Sequence, residues 1–228
     1  MNKDDQSINA CLQRISDTLL INGGFLPNLG LYTGDMGIVL FFYRYASLTH
    51  NEIYLEYASG LLEKIQSKLH RFSPLNYKQG LTGIGSGIEY LAQNDYFKTD
   101  LEDLLKEFDK RIFFTYNLSC LNVDQIADIG YYATWRLSGN SAQKEMILKS
   151  VMPQIVNDRE EMQVNGHQMC IIQNSTRRQQ QEFDLSASLT KYELGIQNGL
   201  AGIGLSFISE LDGDDSWLSL FPNDLILS

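Results

Sequence analysis

The chain is 228 residues long, and its 18 Lys+Arg against 28 Asp+Glu leave a formal charge of −10 at pH 7. That acidity excludes the basic footprint on which nucleic-acid binding depends, while 43% hydrophobic residues supply apolar surface for a full core. No apolar run approaches a membrane span, Arg14 and Asp17 interrupt the first apolar stretch where a secretory segment would be continuous, and Cys11, Cys120 and Cys170 are too scattered for a disulfide framework. The expectation is one acidic, soluble, cytoplasmic domain over residues 1–228. One count stands out: 18 glycines against four prolines.

In chain order, Ile8, Cys11, Leu12, Ile15 and Leu19 share one face of a first helix, with Asp5 or Ser7 as N-cap. Asn22-Gly23-Gly24 ends it, since glycine takes the left-handed cap conformation without steric cost. Residues 37–46 read GIVLFFYRYA, with Arg44 the one charge, and a helix without a polar face belongs in the interior. A second amphipathic helix carries Leu55, Ala58, Leu62, Ile65 and Leu69, and a third carries Leu101, Leu104, Leu105, Phe108 and Ile112. A fourth runs from Ser141 through Met146, Ile147 and Val151 to Pro153. Weaker wholly apolar helices are expected over 87–92 and 202–208. This alternation predicts an outer layer and an inner layer. Between 157 and 193 the pattern changes: apolar-polar runs flank Asn165-Gly166, a β-hairpin signal, and the polar run 177–182 reads as a linker. A plain loop is the alternative.

The glycines form a repeat. Gly30-Leu31, Gly80-Leu81 and Gly195-Ile196 are each followed, seven positions after the first glycine, by Gly37-Ile38, Gly87-Ile88 and Gly202-Ile203. Gly34 and Gly199 sit alike between them, and Gly83 is one position out of frame. A degraded fourth copy spans 128–135 around Gly130. Each turn hands an outer helix over to an inner one, through backbone angles that glycine adopts cheaply. The inner-helix N-termini would then converge on a central cavity with free N–H groups and positive dipole ends. Gly34, Gly37, Gly83, Gly87, Asn198, Gly199 and Gly202 are the candidate binding positions. The plainer reading makes these glycines packing devices.

At these residues the chain resembles the lanthionine synthetase C-like family, whose mark is the repeated Gly-Leu-x-x-Gly-x-x-Gly-Ile turn followed by an apolar helix. The match is close at 30–40 and 195–205, and by motif it covers roughly 1–140 and 190–211. The resemblance implies an all-α, α/α toroid. Complete members have seven helical hairpins; here four to five are expected, with inner glycines 37, 87, 130 and 202, so the toroid is incomplete. The resemblance also implies peptide modification in a bacterial system, by zinc-assisted addition of a Cys thiol to a dehydrated Ser or Thr. The family holds zinc with a Cys in a Trp-Cys-x-Gly turn and an adjacent Cys-His pair. Here Trp135 precedes Arg136, Trp217 precedes Leu218, and no Cys-His pair occurs. His167 and Cys170 would point to opposite faces of a strand. No zinc ligand set, and no cofactor, is therefore expected.

Three functions follow as expectations. The first is a zinc-free pseudoenzyme scaffold that binds a precursor peptide or a partner protein. The second is a glycosidase-like enzyme with paired carboxylates, its candidates being Asp35, Glu89 and Asp128, with Asp124 beside them. Asp35 serves equally as a helix N-cap or first-turn acid, and Glu89 complements a helix N-terminus. The third is a half-toroid that closes by homo-oligomerisation, with exposed apolar faces on Phe41, Phe42 or Phe113-Phe114. His50 and His70 are read as surface residues at helix ends.

Overall fold

The computed structural model describes residues 3–70, 73–96, 102–114, 121–139, 144–151, 153, 189 and 192–221. Among these the chain is mostly helical, with turns between the helices and an isolated parallel bridge between Glu193 and Gly199. The helices are α1 (Lys3–Asn22), α2 (Asp35–Thr49), α3 (Glu52–Lys68), α4 (Leu81–Gln93), α5 (Glu102–Asp109), α6 (Val123–Ser138), α7 (Lys144–Met146) and α8 (Leu200–Asp212). α5 and α7 continue into wider π-type turns, Lys110–Phe114 and Ile147–Val151, and 3-10 turns occupy Gly23–Phe25 and Ser216–Leu220. The hairpin expected at Asn165-Gly166, and the linker after it, lie outside the described residues.

Periodicity placed the outer helices correctly. Ile8, Cys11, Leu12, Ile15 and Leu19 are all buried on α1, as are Ala58, Leu62 and Ile65 on α3 and Leu105, Phe108 and Ile112 around α5. Leu55 is an exception at 38% exposure; Tyr54 and Leu61 take the inward positions instead. α1 already runs from Lys3, ahead of the expected caps, and passes into the 3-10 turn at Gly23 rather than a left-handed glycine. Every residue of α2 from Asp35 to Ala46 is buried, Phe41 and Phe42 completely. Phe113 is 7% exposed. The open apolar face expected on Phe41, Phe42 and Phe113 is thus inside the protein.

The inner layer is a row of neighbours in the order α8, α2, α4, α6. α1 covers α8, α3 covers α2, α5 covers α4, and the turn after α7 packs on α6. Among the described residues this is an incomplete α/α toroid of four inner–outer pairs. The last inner helix lies beside the first, so the N-terminal helix finds its partner at the far end of the chain.

The repeat has a register different from the expected one. Gly34, Gly80 and Gly199 are the N-caps of α2, α4 and α8. In all three turns the first amides of the helix reach back seven residues: Asp35 N–H to Asn28 O, Leu81 N–H to Pro74 O, Leu200 N–H to Glu193 O. The shared motif is therefore Gly-x-x-Gly-Ile at 34–38, 80–84 and 199–203. Gly87, taken as the start of an inner helix, lies within α4, where an added Cβ would come 2.8 Å from Met36 Cε. α6 has no glycine turn: Asn122 caps it through a capping box with Gln125, and Gly130 is internal.

Nor do the N-cap glycines use forbidden angles. Their φ values are −120°, −118° and −137°, open to any residue. Close approach is what requires them: a Cβ on Gly34 would strike the Asn28 side chain, one on Gly80 the Pro74 carbonyl and one on Gly199 the Gly195 carbonyl, and other glycines of the turns are as tightly placed. A Cβ on Gly30 would strike the Gln79 backbone, one on Gly83 the Tyr77 carbonyl, and one on Gly195 would lie 2.5 Å from Thr33 Cα.

After α8 the chain turns at Gly213 (φ 75°) and returns along the inner layer. Trp217, Leu220 and Phe221 are 1%, 0% and 1% exposed. Phe221 meets Tyr32 edge-on at 5.1 Å and Trp217 at 5.7 Å. Three large side chains buried this way contribute roughly 1.5–3 kcal/mol each.

Gly60 in α3 has nothing within 4 Å of an added Cβ. Thermal or urea denaturation should find Gly60→Ala more stable by about 0.5–1 kcal/mol. Gly83→Ala should be destabilised by about 3 kcal/mol through forced backbone separation. Equal effects at the two positions would contradict the close-approach account.

Candidate functional site

The glycine turns stack backbone on backbone. Tyr32 N–H donates to Lys78 O at 3.0 Å, and Ile196 and Gln197 N–H both donate to Tyr32 O at 2.8 and 2.9 Å. The turn at 195–199 thus lies on that at 30–34, which lies on that at 76–80. The helix N-termini do converge, but their amides are occupied. Asp35, Met36, Leu81, Thr82, Leu200, Ala201 and Gly202 all donate to carbonyls of their own turns. Asn198 adopts the left-handed conformation (φ 57°) at the corner before Gly199, a role open to Asn among non-glycine residues. The candidate glycines Gly34, Gly37, Gly83, Gly87, Gly199 and Gly202 accordingly sit inside this packing.

The candidate carboxylates are placed on three different interfaces. Asp35, the first residue of α2, is fully buried and turned toward α3, where Lys64 Nζ lies 2.7 Å from Oδ2. Burial raises its pKa, and Lys64 opposes that shift. Glu89 is the ninth residue of α4, well past the N-terminus it was expected to complement. Arg136 Nη1 of α6 binds its Oε2 at 2.7 Å, and Gln93 Nε2 donates to Oε1 at 3.1 Å. The same guanidinium grips Asp109 of α5, with Nη2 2.8 Å from Oδ2 and Nε 3.1 Å from Oδ1. Tyr132 Oη donates to Asp109 Oδ1 at 2.7 Å. Glu89, Asp109 and Arg136 are at most 4% exposed.

In this cluster burial opposes the charge on Arg136, but hydrogen bonding to Asp109 and the charges around it more than offset that, so its pKa rises. Tyr132 is pushed well up, by burial first and the Asp109 charge second. The carboxylates are committed to locking α4, α5 and α6 together. Asp128 stands apart on α6, half-buried beside the Tyr77 turn, and burial carries its pKa up to about 6 against a hydrogen bond from the Tyr77 backbone. Asp124 is exposed in the first turn of α6.

Two groups absent from the sequence expectations adjoin the inner helices. Arg44 of α2, 1% exposed, reaches Asp212 Oδ2 at 2.8 Å and the Asp214 carbonyl at 2.6 Å. Burial works against ionised Asp214, but the Ser216 amide and hydroxyl and Arg44 bring its pKa below the ordinary value. The lone charge in GIVLFFYRYA was the available signal for Arg44. The second group is a half-open cavity of about 150 Å³ between Tyr77, Tyr131, Thr134, Trp135, Ser219 and Leu220. Its walls are ring faces, Tyr77 and Tyr131 meeting edge-on at 5.5 Å. That volume suits one benzene-sized group.

Zinc does not fit the described donors. Among the described residues no three His, Cys, Asp or Glu side chains are grouped to hold a metal ion. Cys11 is buried in the core and its thiol pKa is raised by burial, the reverse of an activated thiolate. Cys120, His167 and Cys170 lie outside the described residues. Among the described residues no helix is long and apolar enough to cross a membrane.

Arg136→Leu leaves Glu89 and Asp109 buried without their countercharge, and urea denaturation should show a loss of about 3–5 kcal/mol. Asp128 binds its proton more tightly folded than unfolded, so its contribution to stability falls as pH rises from about 4 to about 6. Asp128→Asn should remove that fall and be the more stable protein at pH 7, by on the order of 2 kcal/mol after allowance for partial solvation. A pH–stability curve parallel to that of the unsubstituted chain would contradict the assignment.

Compared with known families, residues 27–117 match the family model for Lanthionine synthetase C-like protein. That stretch runs from the first glycine turn through α2, α3, α4 and α5. No curated protein and no solved structure matches the chain. The similarity to the lanthionine synthetase C-like family is thus shown over residues 27–117, the stretch that holds two of the three glycine turns.

Proposed function

We propose that this chain is a peptide-binding scaffold of the lanthionine synthetase C-like family that works without zinc, in a bacterial, cytoplasmic peptide-modification system. It acts as a single domain, and its partner is a peptide or a peptide-like segment of another protein. The observation that carries this reading is the segment packed on the inner helices after α8 and the cavity beside it. There the chain's own residues 216–221, a 3-10 turn and the residue after it, already lie against the inner helices, beside an aromatic cavity with room for one further side chain. Tyr77 and Tyr90 hydroxyls hold that segment at Leu220 O and Ser216 Oγ, at 2.8 and 3.0 Å. Aromatic walls with a few hydroxyls suit apolar side chains presented on a peptide backbone.

The chemistry of the interior supports binding over turnover. A glycosidase needs two carboxylates free to exchange protons and attack, whereas Glu89 and Asp109 are both tied to Arg136. Asp35 faces Lys64 in the outer layer.

The test is titration of the purified chain with short synthetic peptides, each bearing one Phe, Tyr or Trp, with and without a zinc chelator. Binding should be indifferent to the chelator and roughly tenfold or more weaker in Trp135→Ala. Thioether formation that stops on chelation, with near-stoichiometric bound zinc, would overturn the proposal.

A further inference from the structure

We infer that the partner's chemistry is written in residues 212–221, the last residue of α8 and the segment after it, which pack on the inner helices as an internal and imperfect ligand: an acidic pair, then an aromatic residue, then an apolar aromatic end. The inference rests on the peptide-binding reading and specifies its ligand. A stretch that only filled the core would be held by apolar contacts. This one is also read by polar groups along its length. Arg44 takes the acidic pair, with Asp212 Oδ2 at 2.8 Å and Asp214 Oδ2 at 3.3 Å. Tyr90 Oη meets Ser216 Oγ at 3.0 Å, Ser209 Oγ accepts from Trp217 Nε1 at 3.0 Å, and Tyr77 Oη donates to Leu220 O at 2.8 Å. The contacts come from α2, α4, α8 and the second glycine turn, and α6 faces the segment across the cavity.

The fit is incomplete at both ends. Arg44 engages its acids through Nη2 alone, while its buried Nε and Nη1 make no hydrogen bond. A guanidinium can bind a carboxylate through two nitrogens, so a peptide acid approaching squarely would improve on Asp212. At the other end, the cavity of about 150 Å³ opens beside Ser219, whose side chain is too small to fill it. A benzene-sized side chain at that position would. The favoured ligand therefore keeps the acidic pair and the terminal Leu-Phe, and carries an aromatic residue where this chain has Ser219.

The probe is a synthetic peptide of residues 212–221 carrying Ser219→Phe, with Trp217→Phe so that it contributes no indole emission. It is titrated into the full-length chain and into two full-length variants. Binding to the unsubstituted chain should red-shift the emission of the chain's own Trp217 as that residue is displaced. In the Ser219→Phe chain the internal segment fills the cavity itself; its Tm should rise and probe affinity should drop by roughly tenfold or more. Phe221→Ala weakens the internal segment and should tighten probe binding by a similar factor. The Ser219→Phe comparison stands alone if Phe221→Ala does not fold. Probe affinity equal in the unsubstituted and Ser219→Phe chains, or binding without a change in Trp217 emission, would overturn the inference while leaving the peptide-binding reading intact. Failure of this probe alone, with other aromatic peptides bound, would do the same. Failure of every peptide on every chain would overturn both.

Discussion

Backbone touching backbone at the glycine turns is the constraint on which the rest of the molecule depends. Gly30 lies on Gln79 and Gly195 on Thr33, and Tyr32 is hydrogen-bonded above and below, to Lys78 O through its amide and from Ile196 through its carbonyl. These contacts fix the spacing of α8, α2 and α4 at one end. Because each helix N-terminus spends its first amides on its own turn, it needs neither water nor a ligand there. That satisfaction lets the inner helices be largely apolar and lie side by side, with the amphipathic outer helices packed over them. A side chain at any of the stacking positions would separate the turns and tilt every helix that starts from them.

Helical periodicity was legible to nearly the last residue, since Leu12, Ile15 and Leu19 or Ala58, Leu62 and Ile65 are buried wherever a 3.6-residue stripe demands. The register of the glycine repeat was misread for a particular reason. α4 carries two further glycines, Gly85 and Gly87, for contact with Tyr132 and Met36, and Gly87-Ile88 imitates the start of a repeat. Gly-x-x-Gly-Ile at 34, 80 and 199 was the better frame. Of the candidate acids, Glu89 was rightly seen as odd in an apolar helix. Its partners Arg136 and Asp109 come from other helices, however, and no local pattern announces a contact across the inner layer. Glycines at three helix starts suggested free amides; hydrogen bonds seven residues back in the chain consume them, and sequence spacing carries no sign of this.

Charge is handled in two ways. The buried cations, Arg136 and Arg44, are each shared between two acids, so neither the guanidinium nor the carboxylates enter the core alone. The two clusters differ in consequence. Arg136 is met on both of its faces and joins three helices into one unit. Arg44 meets its acids through one nitrogen, Nη2, on either side of a glycine turn at Gly213. Rigidity and adaptability are thus assigned to different arginines of the same inner layer.

The position of α8 has a bearing on how the molecule comes to be assembled. Among the described helices α8 comes last in the chain, yet it sits against α1 and α2, which precede all the others. A nascent chain therefore carries the apolar flank of α2 and the inward face of α1 uncovered through the synthesis of everything between. Contacts that join the two ends of a sequence are slow to form, and exposed apolar faces invite association while they wait. Chaperone engagement should concentrate on those two surfaces, and an arrest of translation before α8 should leave a helical but aggregation-prone species in which the first and second glycine turns are stacked and the third position is vacant.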